Sequence, residues 1–275
     1  MTNRAAPAPS HDFKVFKPGE VLPSKGITIY GKGGVGKTAL LGTMPGRGLV
    51  IDFPSREGGT EVLGTFSDRI DVFTVNEWND VETVCWKLET PDHGYTWVGI
   101  DSITAAQKYA DYKIAGKGDL TKKREMTGSQ MGDSGALVGE FIFRMRSINI
   151  WSIWIGLQRR RGNDEDASAD KLWGPAVYPG VIDSLVPSMK IVARMLIERN
   201  NENKVERRLI LGPVPNMITK VRAPLNIEIP YAIRNPNLGQ LLLYLGGRDV
   251  KLDVVEDDAI LPMEELDTTL DPAFV

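Results

Sequence analysis

Gly31, Gly36, Lys37 and Thr38 stand at the spacing G-x-x-x-x-G-K-T, with Gly33 and Gly34 inside the interval. Residues of these types at this spacing make one kind of chemistry available. Glycines let successive backbone N–H groups turn inward around an anion, and a helix starting at the end of the loop adds positive potential there. A lysine ammonium then reaches the β- and γ-phosphates of a nucleoside triphosphate, and the hydroxyl that follows it ligates Mg²⁺. The run Gly31-Lys32-Gly33-Gly34-Val35-Gly36-Lys37-Thr38, with Ala39 behind it, is therefore read as a loop that binds ATP with magnesium. Such a site needs an acidic group at the end of a neighbouring strand, and Trp97-Val98-Gly99-Ile100-Asp101 supplies it in Asp101, which would hold Mg²⁺ through water. Hydrolysis also needs a group that orients the attacking water. Glu57 and Asp52, at or just beyond the end of an earlier strand, are the candidates, and Glu57 is preferred. Gln158, at the end of a later strand, is placed to sense the γ-phosphate.

These side chains meet only if strands and helices alternate around them. Gly26-Ile27-Thr28-Ile29-Tyr30 is a β-branched run that ends in the glycine loop, and residues 38–44 form a short helix stopped by Pro45. Gly48–Asp52, Ile70–Thr74 and Thr96–Ile100 read as further buried strands. Val81, Val84, Cys85 and Leu88 share one helical face, which predicts an amphipathic helix over residues 78–89 and makes Cys85 a core residue. Leu137, Phe141, Met145 and Ile148 make a second stripe, with Asp133 or Ser134 as its cap. A fifth strand is expected over residues 150–155, and Lys190–Glu198 with Val205–Leu211 form a hairpin about Asn200-Asn201-Glu202-Asn203. The pattern predicts an α/β fold with a mainly parallel sheet flanked by helices and an antiparallel edge hairpin. Residues 115–135 and 159–180 are expected as long loops, of a length that is usually functional or mobile.

Composition narrows the class. The chain has 275 residues, 42% of them hydrophobic and 25% charged, as in ordinary globular proteins. No apolar stretch is long enough for a membrane helix, and a single cysteine, Cys85, excludes an internal disulfide. With His11 and His93 as the two histidines, no transition-metal site is expected. The cytoplasm is the expected compartment. The net charge of −3 hides an asymmetry: residues 248–275 carry two basic and nine acidic groups, which leaves +4 on residues 1–247. The chain accordingly divides into an Ala/Pro-containing tail (1–19), a core (20–247) and an acidic tail (248–275).

On these residues the chain resembles the RecA-like recombinase core, in particular the short phage-encoded single-strand annealing proteins, over roughly residues 20–245. Asp101-Ser102 after an apolar strand is similar to that family's Walker B signature. Leu157-Gln158-Arg159-Arg160 is similar to the strand that ends in a sensor glutamine and opens the second DNA-binding loop. Ile218-Thr219-Lys220-Val221-Arg222 looks like the late strand whose basic residues reach the neighbouring subunit's γ-phosphate, which would make Lys220 and Arg222 trans-acting cations. The resemblance implies a homo-oligomer, ring or filament, with ATP between subunits, in host cytoplasm if the source is a phage. In the recombinases a glutamate follows the second strand almost at once, whereas here Asp52-Phe53-Pro54-Ser55-Arg56 precedes Glu57, which implies slow hydrolysis if Glu57 cannot reach the water. ParA-type partition ATPases are the rival resemblance, because Lys32 stands where they carry an extra lysine that reaches across a dimer. Against it, Ser102-Ile103-Thr104 replaces the proline-rich continuation of that family, and its paired aspartates are missing from the second strand.

Lys113, Lys117, Lys122, Lys123 and Arg124 precede Gly128 and Gly132, and Arg159-Arg160-Arg161 precede Trp173 and Tyr178. Basic residues in glycine-bearing loops, with aromatics able to stack bases, are the ingredients of a single-stranded-DNA site with little sequence preference. Lys122, Lys123, Arg124, Arg159, Arg160 and Arg161 are the expected DNA contacts. The acidic tail would compete for these loops, and its end, Leu270-Asp271-Pro272-Ala273-Phe274-Val275, resembles tails with which single-strand binding proteins recruit protein partners. Three functions follow: an ATP-dependent DNA annealing or recombination protein, a duplex-binding partition ATPase, and a nucleotide-gated protein scaffold.

Overall fold

The structure is a computed structural model that describes residues 24–55, 59–116, 126–161, 172–199 and 202–255. Its centre is β1 (Gly26–Gly31), which is buried along its whole length. Parallel strands flank it on both sides: β5 (Trp151–Arg161) on one and β7 (Ile191–Arg199) on the other. Beyond β5 the parallel sheet continues through β4 (Trp97–Asp101), β2 (Gly48–Asp52) and β3 (Ile70–Thr74). Beyond β7 it turns antiparallel through β8 (Val205–Ile210), β10 (Ala232–Arg234) and β11 (Val254–Val255). The α/β class, the mainly parallel sheet and the antiparallel edge hairpin expected from the alternation of apolar runs are all present. β11 carries the sheet into the segment expected as the acidic tail, whose residues 256–275 lie outside the described ones, as do residues 1–23.

Because β1 alternates, its two faces feed two cores. Tyr30 faces one with Phe53, Phe141 and Trp154, where α2 (Trp78–Glu89), α3 (Ile103–Ala115), α4 (Gly128–Ser147) and α5 (Pro179–Ser188) pack. Ile27 and Ile29 face the other with Leu40, Leu41, Trp97 and Leu241, under α1 (Lys37–Leu41), a 3₁₀ turn (Thr60–Phe66) and α6 (Leu238–Leu245). α1 is short, and its C-terminal end is held from outside: Arg69 Nη1 donates to Met44 O at 2.6 Å and Nη2 to Gly42 O. α2 covers residues 78–89 as its periodicity predicts, and Cys85 is buried, its thiol pushed up to about 12 by desolvation.

Three local expectations are corrected. α4 starts at Gly128 with Thr127 as its cap, not Asp133 or Ser134; Gln130 N donates to Thr127 Oγ1 at 3.2 Å and the Gln130 side chain accepts from Thr127 N at 3.0 Å. This reciprocal pair satisfies two otherwise orphaned donors, so the helix begins before its apolar stripe does. β5 does not stop at Ile155. It continues to Arg161 and pairs antiparallel with β6 (Leu172–Pro175), so the expected loop 159–180 contains a two-stranded arm and the start of α5. Of the late strand over 218–222, only β9 (Lys220–Val221) forms, on the edge of β7.

Candidate functional site

β1 ends at Gly31, level with Leu157 of β5, and the chain then wraps from Lys32 to Gly36 before entering α1. Three glycines in this loop have physical reasons. A Cβ on Gly31 would lie 2.4 Å from Met195 O, so only a residue without one fits. Gly34 (φ 74°) and Gly36 (φ 93°) take the left-handed backbone that side chains disfavour. Lys37 is 7% exposed, and its ammonium donates to the loop's own carbonyls, Lys32 O at 2.6 Å and Gly31 O at 3.2 Å. The lysine is thus folded along the loop it would help to charge.

Thr38, in the first turn of α1, donates from Oγ1 to Asp101 Oδ2 at 2.5 Å. The loop and the acid expected to share the metal therefore meet, although Asp101 is two strands from β1. The Asp101–Ser102 peptide is cis. Asp52 ends β2 in register with Asp101, and the two acids lie side by side. Partial burial, then the Asp101 charge, push the Asp52 carboxyl above its ordinary range, while a hydrogen bond with Thr60 opposes them. Gly59 also approaches: a Cβ there would stand 3.3 Å from Thr38 Oγ1.

The folded state therefore holds the Asp52 proton more tightly than the unfolded chain does. Its ionisation costs stability as pH rises from the ordinary carboxylate range through the folded value, and below that range the cost is absent. In metal-free protein, Asp52→Asn is expected to melt above the parent at neutral pH, with the gap closing on acidification. Thermal melts over a pH series in chelator test this, and a gap unchanged by pH would assign the effect to packing instead.

Gln158 lies just past the end of the sheet on β5, the strand between β1 and β4. Its Oε1 accepts from Arg194 Nε at 3.0 Å, and Arg194, 4% exposed, stacks 4.5 Å from the Trp173 ring centroid. Tyr30 Oη donates to Trp173 O at 3.2 Å and Ile218 O at 3.0 Å, and burial drives its phenol far above the ordinary range. Arg159 and Arg160 are exposed on the arm, with Arg160 5.9 Å from the Trp173 ring. Arg161 is turned inward and donates to the carbonyls of Pro175 and Val177. Glu57 and the basic Lys122, Lys123 and Arg124 lie outside the described residues. The described flanks of the latter segment do reach the arm: Tyr178, which follows β6, donates to Asp111 Oδ2 at 3.1 Å and contacts Met126 Sδ at 4.0 Å.

Lys220 and Arg222 stand apart from the nucleotide loop. Lys220 Nζ donates to Val186 O at 2.6 Å and Pro187 O at 3.2 Å, at the C-terminal end of α5, and burial lowers its proton affinity. Arg222 is exposed, and its backbone pairs with Lys190, beside the first residue of β1. Two residues that spacing does not mark contact the expected site residues: Arg194, which donates to Gln158, and Arg207 of β8, whose Nε donates to Val35 O in the loop at 3.2 Å. Both act across long sequence separations, so no local pattern announces them.

The donor set fits a nucleoside triphosphate with magnesium. Left-handed glycines open the loop, one lysine lies along it, and a hydroxyl and a carboxylate oxygen stand together where a hard cation prefers oxygen ligands. Among the described residues no group of three or more His, Cys, Asp and Glu is arranged to hold a metal ion. No curated protein matches the chain. A family profile described as an AAA domain matches residues 24–223, which span the glycine loop, Asp101 and Gln158. With that match over most of its length and a glycine loop, threonine and aspartate assembled as such enzymes require, the chain belongs to the AAA-domain family of P-loop ATPases.

Proposed function

We propose that the protein hydrolyses ATP and uses the nucleotide state to control binding of single-stranded DNA, in recombination, annealing or repair. One observation carries this reading: β5 runs between the loop-bearing β1 and the acid-bearing β4, reaches Gln158, and continues without a break into the arm bearing Arg159 and Arg160. A change felt at Gln158 would move along one strand to a basic, tryptophan-backed arm able to contact phosphates and stack a base.

In this reading Lys37 neutralises the β- and γ-phosphates, and Thr38 and Asp101 share Mg²⁺. Glu57 orients the attacking water. The approach of its described neighbours Asp52 and Gly59 to the Thr38–Asp101 pair supports that role. Lys122, Lys123 and Arg124 join the arm at the DNA, which the contacts of Tyr178 with both flanks of their segment support. ATP sits at the interface of a homo-oligomer. Arg222 is the freer of the two trans-acting cations, since Lys220 is engaged by its own α5. The acidic tail competes with DNA and recruits a protein partner. No described helix is long and apolar enough to cross a membrane.

ATP turnover with and without single-stranded DNA tests the proposal, with Lys37→Ala as the blank and duplex DNA as the comparison. Stimulation of severalfold or more by single strands is expected. Stimulation by duplex alone would favour the partition reading, and a flat low rate in every sample would leave a nucleotide-gated scaffold.

A further inference from the structure

Arg207 reaches the nucleotide loop from a strand that is not adjacent to β1. Alternation along β8 places it on the same face as Leu209, which packs in the core shared with Leu40 and Leu41 of α1. Its Nε donates to Val35 O at 3.2 Å. The guanidinium lies so near Gly36 that a Cβ on that glycine would stand 2.6 Å from Nε and 3.4 Å from Cζ. Gly36 therefore answers two demands, a left-handed backbone and room for an arginine. The position of Arg207 is fixed from behind, where its carbonyl accepts from Asn235 N at 2.7 Å as β8 pairs with β10.

The order of strands decides what this cation can do. Asp101 lies on β4, then come β5 and β1, then β7 and β8, so the Thr38–Asp101 pair and Arg207 flank the loop on opposite sides. A triphosphate whose β- and γ-oxygens share a metal with Thr38 and Asp101 must carry its α-phosphate and ribose away from that flank. Arg207 is a cation on the side to which they run. With Nε anchored on a loop carbonyl, the planar fork keeps its terminal Nη groups for a phosphate, a geometry in which arginine is pre-organised.

We propose that Arg207 is a cis-acting nucleotide ligand that grips the α-phosphate end of the bound nucleoside di- or triphosphate and ties the β7–β8 hairpin to the occupied loop. The inference rests on reading Gly31–Thr38 as the nucleotide site. It goes beyond that reading by naming a contact the loop motif does not contain.

Calorimetric titration of the full chain with Mg·ATP and with Mg·ADP tests it, using Arg207→Ala, Arg207→Lys and Lys37→Ala after nucleotide-free melts show each to be folded. Loss of a charge-assisted contact predicts that Arg207→Ala weakens ATP and ADP alike, by about tenfold or more, with partial recovery in Arg207→Lys. Weakening of ATP alone would place the residue at the γ-phosphate and overturn the assignment. Parent-like affinity for both nucleotides in Arg207→Ala, with binding lost in Lys37→Ala, would overturn it while leaving the loop reading intact. Parent-like binding by Lys37→Ala would overturn the loop reading and the inference together. Should Arg207→Ala fail to fold, Arg207→Gln, which keeps a donor for Val35 O without the charge, is held to the same outcomes.

Discussion

Lys37→Ala is expected to abolish the stabilisation that Mg·ATP confers while leaving the nucleotide-free protein close to its original stability. The two halves of this expectation come from different contacts. Without nucleotide the ammonium donates to two carbonyls of its own loop, Gly31 O and Lys32 O, at the carboxyl end of the central strand. Each such bond contributes about 1 kcal/mol net, so the loss is on the order of 1–2 kcal/mol. In the proposed complex the same ammonium would leave the carbonyls and meet phosphate charge. Losing a charge-assisted contact of this kind costs about 1.5–3 kcal/mol, roughly tenfold to a hundredfold in affinity. A ligand present at about 100 times its dissociation constant stabilises the folded state by roughly 2.7 kcal/mol, and that increment should vanish in the variant. Differential scanning of both proteins with and without Mg·ATP reads the two effects separately. An unchanged ATP-induced shift in Lys37→Ala would remove the lysine from the site.

The parts of this site that the sequence displays are those whose chemistry restricts residue type at short spacing. Gly31, Gly36, Lys37 and Thr38 sit within one strand–loop–helix, where each identity answers a local demand for left-handed backbone, charge or a hydroxyl. Asp101 was legible for a related reason: a buried apolar run that ends in a carboxylate marks the carboxyl end of an interior strand. β2, β3 and α2 were legible from apolar periodicity alone. The misses have equally physical causes. Three consecutive arginines read as a loop, yet Arg159–Arg161 continue β5 because β6 returns to pair with them and their backbone bonds are met. The first turn of α4 contains glycines and no apolar stripe, so its start depends on the Thr127–Gln130 box. α5 went unread because Pro179 opens it and Pro187 lies near its end, and proline ordinarily signals interruption. Arg207 and Arg194 could not be found locally at all, because their partners are 172 and 36 residues away.

Arg194→Ala is expected to be the most damaging single change outside the nucleotide loop. Arg194 is buried on the face of β7 that Val192 shares with Tyr30, and it joins three elements at once. Its Nε satisfies Gln158 Oε1, its guanidinium carbon lies over the Trp173 ring, and its charge stands near the buried Tyr30 phenol. Truncation removes the buried stem, leaves Gln158 without its donor, and takes the cation from one side of the tryptophan. A cavity of that kind together with an unpaired, partly buried acceptor costs about 2–4 kcal/mol. Because Arg194 and the Thr38–Asp101 pair lie on opposite faces of the sheet, nucleotide affinity should change far less than stability does. Communication between nucleotide and arm should suffer most, since Gln158 and Trp173 meet through this side chain. Arg194→Lys keeps the charge but loses the flat stack and the fork, so it should recover only part of either property. Denaturant unfolding measures the first effect, and the ratio of turnover with and without single-stranded DNA measures the second. If Arg194→Ala kept the parent's stability and its stimulation ratio, the arm and Gln158 would be independent of this residue, and any coupling would have to run through the Tyr30–Trp173 hydrogen bond instead.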